Sequence, residues 1–301
     1  MILTLNTSNK KLPQVKQIPK NTPVSTLIMG ILNMTPDSFS GDGMFKGNKK
    51  NSRSKEIDSA VKKAVDLTKD GADILDIGGE STRPGACSVS VKEELKRTIP
   101  LIRILSKTVK IPISIDTYKS EVAEAALRNG ASIVNDISAL RFDRKMAGIV
   151  KYHDAAVVLM HTKARPAVMQ HKPKYKDVVN QIALFLRKRI DYALAKGIGL
   201  KKIIIDPGIG FGKTVEHNLE ILNRLSELKK IGRPILVGTS RKSFIGKVLD
   251  VGIDERISGS LTSAVLACLK GASIIRVHDV RQTRQSILLM ERILSRADTN
   301  S

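Results

Sequence analysis

Tryptophan is absent from this chain, and all aromatics together make up 3% of its 301 residues. A core must therefore come from Ile, Leu, Val, Ala and Met, which a hydrophobic content of 42% can supply. The scarcity of rings also leaves no basic block interleaved with aromatics, as a single-strand nucleic-acid surface requires. Cysteine is nearly as rare. Cys87 and Cys268 are far apart, and neither has a second Cys or a His at metal-ligand spacing. That excludes a thiolate metal site and predicts free thiols in a reducing cytoplasm. No apolar run approaches the ~20 residues of a membrane span, and the start of the chain shows no apolar leader with a cleavage site. Neither a membrane nor export is expected.

Negative charge is in short supply too: 29 Asp plus Glu stand against 51 Lys plus Arg, a net +22. Such a balance fits a polyanion, an anionic substrate or a lysine-rich surface. Much of the excess falls on helical faces and tails (Lys10, Lys11, Lys16, Lys20, Lys201, Lys202, Lys229, Lys230). It reads as solvated surface, and no specific nucleic-acid partner is expected. Residues 1–25 are polar, with Pro13, Pro19 and Pro23, and read as a short N-terminal arm ahead of one domain over 26–301.

What is present is a repeat of short apolar runs and longer segments of helical period. The runs are Leu27–Leu32, Asp73–Ile77, Pro112–Asp116, Ser132–Asn135, Ala155–Met160, Lys202–Asp206, Pro234–Val237 and Ser273–Arg276. Between them lie amphipathic stretches such as Val91–Lys107 and Val215–Leu228, several stopped by glycine at Asn129-Gly130, Lys196-Gly197 and Lys270-Gly271. Eight strand-then-helix units in one chain predict an α/β fold, a single (β/α)8 barrel, over a doubly wound sheet. No Gly-x-Gly-x-x-Gly turn follows the first run.

In such a barrel the chemistry collects at the strand C-termini. Here those ends carry Asn33, Asp76, Asp116, Asn135, Met160-His161, Asp206 and Arg276-Val277-His278. After the second run come Gly78 and Gly79, predicted to let the backbone approach a ligand, then Thr82, Arg83 and Pro84. A buried carboxylate or amide is costly without a partner, and helix capping is a poor account of so many. Asp116, Asn135 and Asp206 suit a flat heterocycle with several N–H donors. Thr82, Arg83, Lys242, Arg276 and His278 suit an oxyanion such as pyrophosphate, with glycine N–H groups assisting. A heterocycle carrying pyrophosphate satisfies both sets. A leaving pyrophosphate usually travels with Mg²⁺ held by few protein ligands, and Asn33 is the candidate. Plainer roles exist for single residues: His278 as a helix-start histidine, His161 as structural, Lys213 and Arg241 as rim charges.

Met29 to Ser40, Gly71 to Ala86, Asp206 to Lys213 with Glu216 to Leu219, Ser240 to Ser243 and Arg276 to Asp279 together closely resemble dihydropteroate synthase, with the motifs in that family's order. The resemblance implies joining of 6-hydroxymethyl-7,8-dihydropterin pyrophosphate to p-aminobenzoate, with sulfonamides competing for the second substrate's pocket. It implies that Asp116, Asn135, Asp206 and Lys242 hold the pterin, with Asp76 near it and Met160 packed on it. Asn33, Arg276 and His278 would hold pyrophosphate and Mg²⁺. Thr82, Arg83 and Pro84 would form, with Asp37–Ser40, loops over the site, while Phe211 and Ser243 bound the p-aminobenzoate pocket. Asp116, Lys242, Arg276 and His278 are the expected catalytic set, and a homodimer through late helices is implied. A pterin-binding methyltransferase of the same fold is the alternative. Two departures stand out: Ala164 replaces a usual glycine, and Ser40-Gly41-Asp42-Gly43 departs from the common order beside Lys46, Lys49 and Lys50.

Overall fold

Short runs of Ile, Val and Leu, apolar on consecutive residues, cannot remain half-solvated; they need cover on both faces. In the computed structural model, which describes residues 26–34, 49–81, 88–165, 169 and 173–297, they become eight parallel strands. These are β1 (Leu27–Asn33), β2 (Ile74–Gly78), β3 (Ile113–Asp116), β4 (Ile133–Asp136), β5 (Ala156–Met160), β6 (Ile203–Asp206), β7 (Leu236–Val237) and β8 (Ile274–Val277). Their order is β6-β5-β4-β3-β2-β1-β8-β7, and a parallel bridge between Ile205 and Ile235 joins the two ends. The sheet is a ring, as the eight-unit count predicts.

Around it lie α1 (Lys49–Lys69), α2 (Val91–Thr108), α3 (Ser120–Arg128), α4 (Met146–Tyr152), α5 (Val178–Ala195), α6 (Val215–Asn223), α7 (Ser243–Leu249), α8 (Ile257–Leu269) and α9 (Val280–Ala297). Local chemistry sets their ends. Ser90 Oγ accepts from Glu93 N at the start of α2, and Thr214 and His217 form a reciprocal cap on α6. The expected stops hold: Gly130, Gly197 and Gly271 all take positive φ. None of the described helices is long and apolar enough to cross a membrane.

Three boundaries differ from the sequence reading. The expected helix Val215–Leu228 ends at Asn223 and gives way to a 3-10 turn over Leu225–Ile231. That tighter winding puts residues three apart on one side, so Leu225 and Leu228 are both fully buried. Helix α7 was not anticipated; its seven residues are too few to show a helical period. Asp76 lies inside β2 and not at its end, because the strand continues to Gly78.

Period two sorts the strand side chains into two cores. One, between sheet and helices, includes Leu75, Ile77, Ile115, Val134, Leu159, Ile205, Ile275 and Val277. The other plugs the ring's interior with Met29, Ile74, Ile133, Ala156, Val158, Ile204, Leu236 and Ile274. One inward position further along several of these strands, the interior turns polar: Ile74 gives way to Asp76, Ile133 to Asn135, Ile204 to Asp206 and Ile274 to Arg276. Each buried Ile below contributes ~1.5–3 kcal/mol, which supports a polar layer that would not hold itself together.

Candidate active site

Strand register brings the polar layer together. Asp116 pairs with Asn135 across β3 and β4, Gly78 with Asp116 across β2 and β3, and Met160 with Asp206 across β5 and β6. Residues distant in the chain thus share one tier of the barrel.

At its centre is Arg276. Its Nε donates to Asp76 Oδ2 at 2.6 Å and its Nη2 to Asp116 Oδ2 at 2.8 Å. Asn135 Nδ2 donates to the same Asp76 oxygen at 3.1 Å. The sequence reading placed Arg276 with the rim cations; in the structure its guanidinium is tied to the acids below, because two neighbouring carboxylates in a low-dielectric interior need a shared countercharge. Burial pushes Asp116 up to about 7 despite Arg276. Burial would lower Arg276, but Asp76 and Asp116 outweigh it and hold the guanidinium charged. The remaining oxygens, Asp76 Oδ1 and Asp116 Oδ1, are buried without a hydrogen-bond partner. Unmatched acceptors of this kind are unusual in native proteins and mark a place built for donors.

Asp206 and Lys242 form the other half. Asp206 Oδ1 accepts from Gly208 N at 2.6 Å. Gly208 must be glycine: its φ is +70°, and a Cβ would lie 2.1 Å from the carbonyl oxygen of His161. Lys242 Nζ donates to the carbonyl of Ile209 and lies 4.8 Å from the Phe211 ring centroid. Burial lowers Lys242 to about 8, while Asp206 works against that fall. Burial raises Asp206, and Lys242 opposes it.

Met160 packs with Tyr118 and Ile137, and Phe142 and Phe211 pack against this group. Tyr118 meets Phe142 edge-on at 5.7 Å. Tyr118, Ile137 and Phe142 were missed in the sequence. The available signal was their rarity: the chain has only 4 Tyr and 6 Phe, yet three of these rings gather beside Met160.

Other expected residues are less central. Asn33 ends β1, and its Oδ1 lies 3.4 Å from where a Cβ on Gly78 would stand, beside Asp116. Ser243 is the exposed first residue of α7. His278 Nδ1 is 3.0 Å from Ser240 Oγ, which also accepts from His278 N at 3.2 Å. Val277 points outward into the helix-facing core, so its side chain takes no part in the polar tier. Thr82, Arg83, Pro84, Asp37–Ser40 and residues 1–25 lie outside the described residues.

Two further expectations change. Gly79 owes its lack of a side chain to close packing on α2: a Cβ there would meet Thr98 Cγ2 at 2.8 Å and Glu94 Cγ at 2.9 Å. Lys213 is no rim charge. It is 4% exposed, and its Nζ donates to Phe211 O at 2.9 Å and His161 O at 3.3 Å and lies 3.1 Å from His161 Nδ1. Burial, then Lys213, lowers His161 to about 2, which leaves Nδ1 free to accept. Arg241 does sit at the rim, paired with Asp279 through Nη2 at 2.5 Å.

A parallel barrel whose mouth joins unmatched buried acceptors to partly buried cations is the frame of a pterin-binding enzyme, and the family described as pterin binding enzyme matches residues 29–278. The dihydropteroate synthase of Synechocystis is 46% identical over 261 residues, 86% of this chain and 87% of that protein. The Xanthomonas albilineans dihydropteroate synthase structure with 4-aminobenzoic acid superposes with a TM-score of 0.82 at 40% identity, covering 89% of this chain and 93% of that one. The Clostridium difficile synthase structure obtained with pteroic acid gives 0.81 at 45% identity, covering 91% and 98%. The chain belongs to the dihydropteroate synthase family of transferases.

Proposed function

We propose that this mouth joins 6-hydroxymethyl-7,8-dihydropterin pyrophosphate to p-aminobenzoate, releasing pyrophosphate, by a dissociative substitution. The carrying observation is the pair of unmatched oxygens, Asp76 Oδ1 and Asp116 Oδ1, held beside Asn135 and near Asp206 in one buried tier. A flat ring with an aminopyrimidine edge supplies the N–H donors they lack. Met160, flanked by Tyr118 and Ile137, offers an apolar surface for the ring's face.

The bond between the pterin methylene and the pyrophosphate oxygen breaks, its electron pair leaving with pyrophosphate. Asp116, Asp76 and Asp206 stabilise the cationic pterin-methylene that remains. Lys242 and His278 meet the departing charge, and Arg276 keeps Nη1 for an oxygen while its other nitrogens hold the acids. The neutral arylamine nitrogen then bonds to the methylene and loses its proton to water or pyrophosphate. It needs no strong protein base. Phe211 beside Lys242, with Ser243 at the start of α7, bounds the arylamine pocket. Sulfonamides are its expected competitors.

Among the described residues no cluster of three or more acidic, histidine or cysteine groups could hold a metal. The one neutral amide oxygen of Asn33 fits a hard cation that takes most of its ligands from pyrophosphate and water. Asn33 would hold Mg²⁺ there, and the ion would supply charge neutralisation for the leaving pyrophosphate. Exposed Leu266 and Leu269 on α8 and Leu289 and Ile293 on α9 support a homodimer through these helices. The compartment we assign is the cytoplasm.

The test is to mix the protein with the pterin pyrophosphate, Mg²⁺ and labelled p-aminobenzoate. Dihydropteroate with an equal amount of pyrophosphate is expected. Failure to form it, with product only from a corrinoid and a methyl donor, overturns the reading in favour of the methyltransferase.

A further inference from the structure

The connection from β4 to α4 holds two consecutive non-glycine residues in the left-handed region, Ala139 at φ 53° and Leu140 at φ 64°. Side chains of L-residues disfavour that conformation, and such a pair persists only where its surroundings over-determine it. Both residues are also buried, at 0% and 3% exposure, so their backbone polar groups depend on protein partners.

All four groups are accounted for. Ala139 N donates to Asp136 O at 3.0 Å and Leu140 N to Asp136 Oδ2 at 2.8 Å. On the other side, Arg189 of α5 donates Nε to Ala139 O at 2.7 Å and Nη2 to Leu140 O at 3.3 Å. The Arg189 guanidinium is itself steadied on the Tyr192 ring, 4.1 Å from its centroid. A forked donor suits two adjacent carbonyls in a way that a single ammonium does not.

The turn leads straight from the pterin tier. Asn135 precedes it, Ile137 lies within the Met160 group, and Phe142 follows, its N donating to Ser138 Oγ at 3.2 Å. We infer that Arg189, outside the barrel and touching no substrate, is a positioning residue: by clamping the Ala139–Leu140 carbonyls it fixes Ile137 and Asn135 against the bound pterin. This rests on the synthase reading above. It assigns to an arginine of the helix layer a share of the selectivity for one of the two substrates.

The test compares wild type with Arg189→Met, which keeps the aliphatic stem, and Arg189→Lys, which keeps one donor head and guards against loss of fold. Amide hydrogen exchange over 137–142 should quicken in both, more in the methionine variant; it reads the turn without any substrate. The KM for the pterin pyrophosphate should rise about tenfold in Arg189→Met, while the KM for p-aminobenzoate stays within about twofold. Adding Ala139→Gly, which lifts the conformational penalty at the cost of one methyl group, should restore part of the pterin KM. Unchanged exchange, an equal rise in both KM values, or no rescue by glycine overturns the inference. An inactive wild-type protein would instead sink the synthase reading, and the exchange measurement would still decide the role of Arg189.

Discussion

Lys242 donates to the carbonyl of Ile209, and its ammonium lies 4.8 Å from the centre of the Phe211 ring. Two neighbouring connections, one after β6 and one after β7, are thereby joined at the point where the proposed pterin and arylamine pockets meet. The cation is held by a backbone oxygen and a ring, and balanced by Asp206 a little deeper.

Activity should follow a bell-shaped pH profile. Asp116 must be ionised, with its carboxyl pushed up to about 7, and Lys242 must be charged, with its ammonium brought down to about 8. Asp206 raises Lys242, so Asp206→Asn should move the alkaline limb of kcat/KM to lower pH. A limb that stays in place would show that Lys242 is not the titrating cation.

Arg276→Met should remove the shared countercharge of Asp76 and Asp116. Because Arg276 lowers the Asp116 pKa, its loss should drive that carboxyl further above about 7, visible in carboxyl-carbon NMR. Turnover should drop by about a hundredfold or more, in line with loss of a group that stabilises developing charge. A fall in Asp116 pKa would contradict the bridging geometry.

Lys119 holds a second buried acid pair. Its Nζ bonds Glu94 Oε2 at 2.6 Å and Glu80 Oε2 at 2.5 Å, and Tyr118 OH donates to Glu80 Oε1 at 2.6 Å. Lys119→Met should cost about 3–5 kcal/mol, the scale of an orphaned buried charge. Burial already holds Glu94 above its usual 4.5. A raised carboxyl pKa means the fold favours the protonated form, so the penalty builds as pH rises through 4.5 and eases on acidification. Denaturant titrations at two pH values check this: a deficit that is larger in acid would be the wrong sign.

Gly208→Ala should be severely disruptive, since the added Cβ would sit 2.1 Å from a backbone oxygen that has no room to swing aside. Thermal unfolding of the variant, beside Gly232→Ala where a Cβ meets nothing within 4 Å, separates the clash from the cost of positive φ alone. Similar losses in both would remove the steric argument.

Leu289 and Ile293 are each 63% exposed on α9. Leu289→Glu with Ile293→Glu should convert the expected dimer to monomer in sedimentation, leaving helix content intact. A wild-type protein that sediments as a monomer would end the dimer proposal.

The sequence made the polar tier legible because strand ends are short and a carboxylate beside Ile or Val is conspicuous: Asp116, Asn135 and Asp206 fall where period two puts them. It did not reveal that Arg276 lies with the acids, since strand position gives the direction of a side chain and not which partner it chooses. Tyr118 and Phe142 sit on loops, where neither period applies. The bend into the 3-10 turn after Asn223 was hidden for a related reason: Leu225 and Leu228 satisfy a helical pattern and a tighter one alike.

The barrel's weakest seam is equally informative. β7 has two residues, and the chain just ahead of it meets β6 through the isolated bridge between Ile205 and Ile235, whereas β1 and β2 share a five-residue register. The ring therefore behaves like a collar fastened by one stud. With so few ladder contacts at that seam, amides of β7 should exchange faster than those of β1 and β2, and Asp206 and Lys242 stand on either side of it.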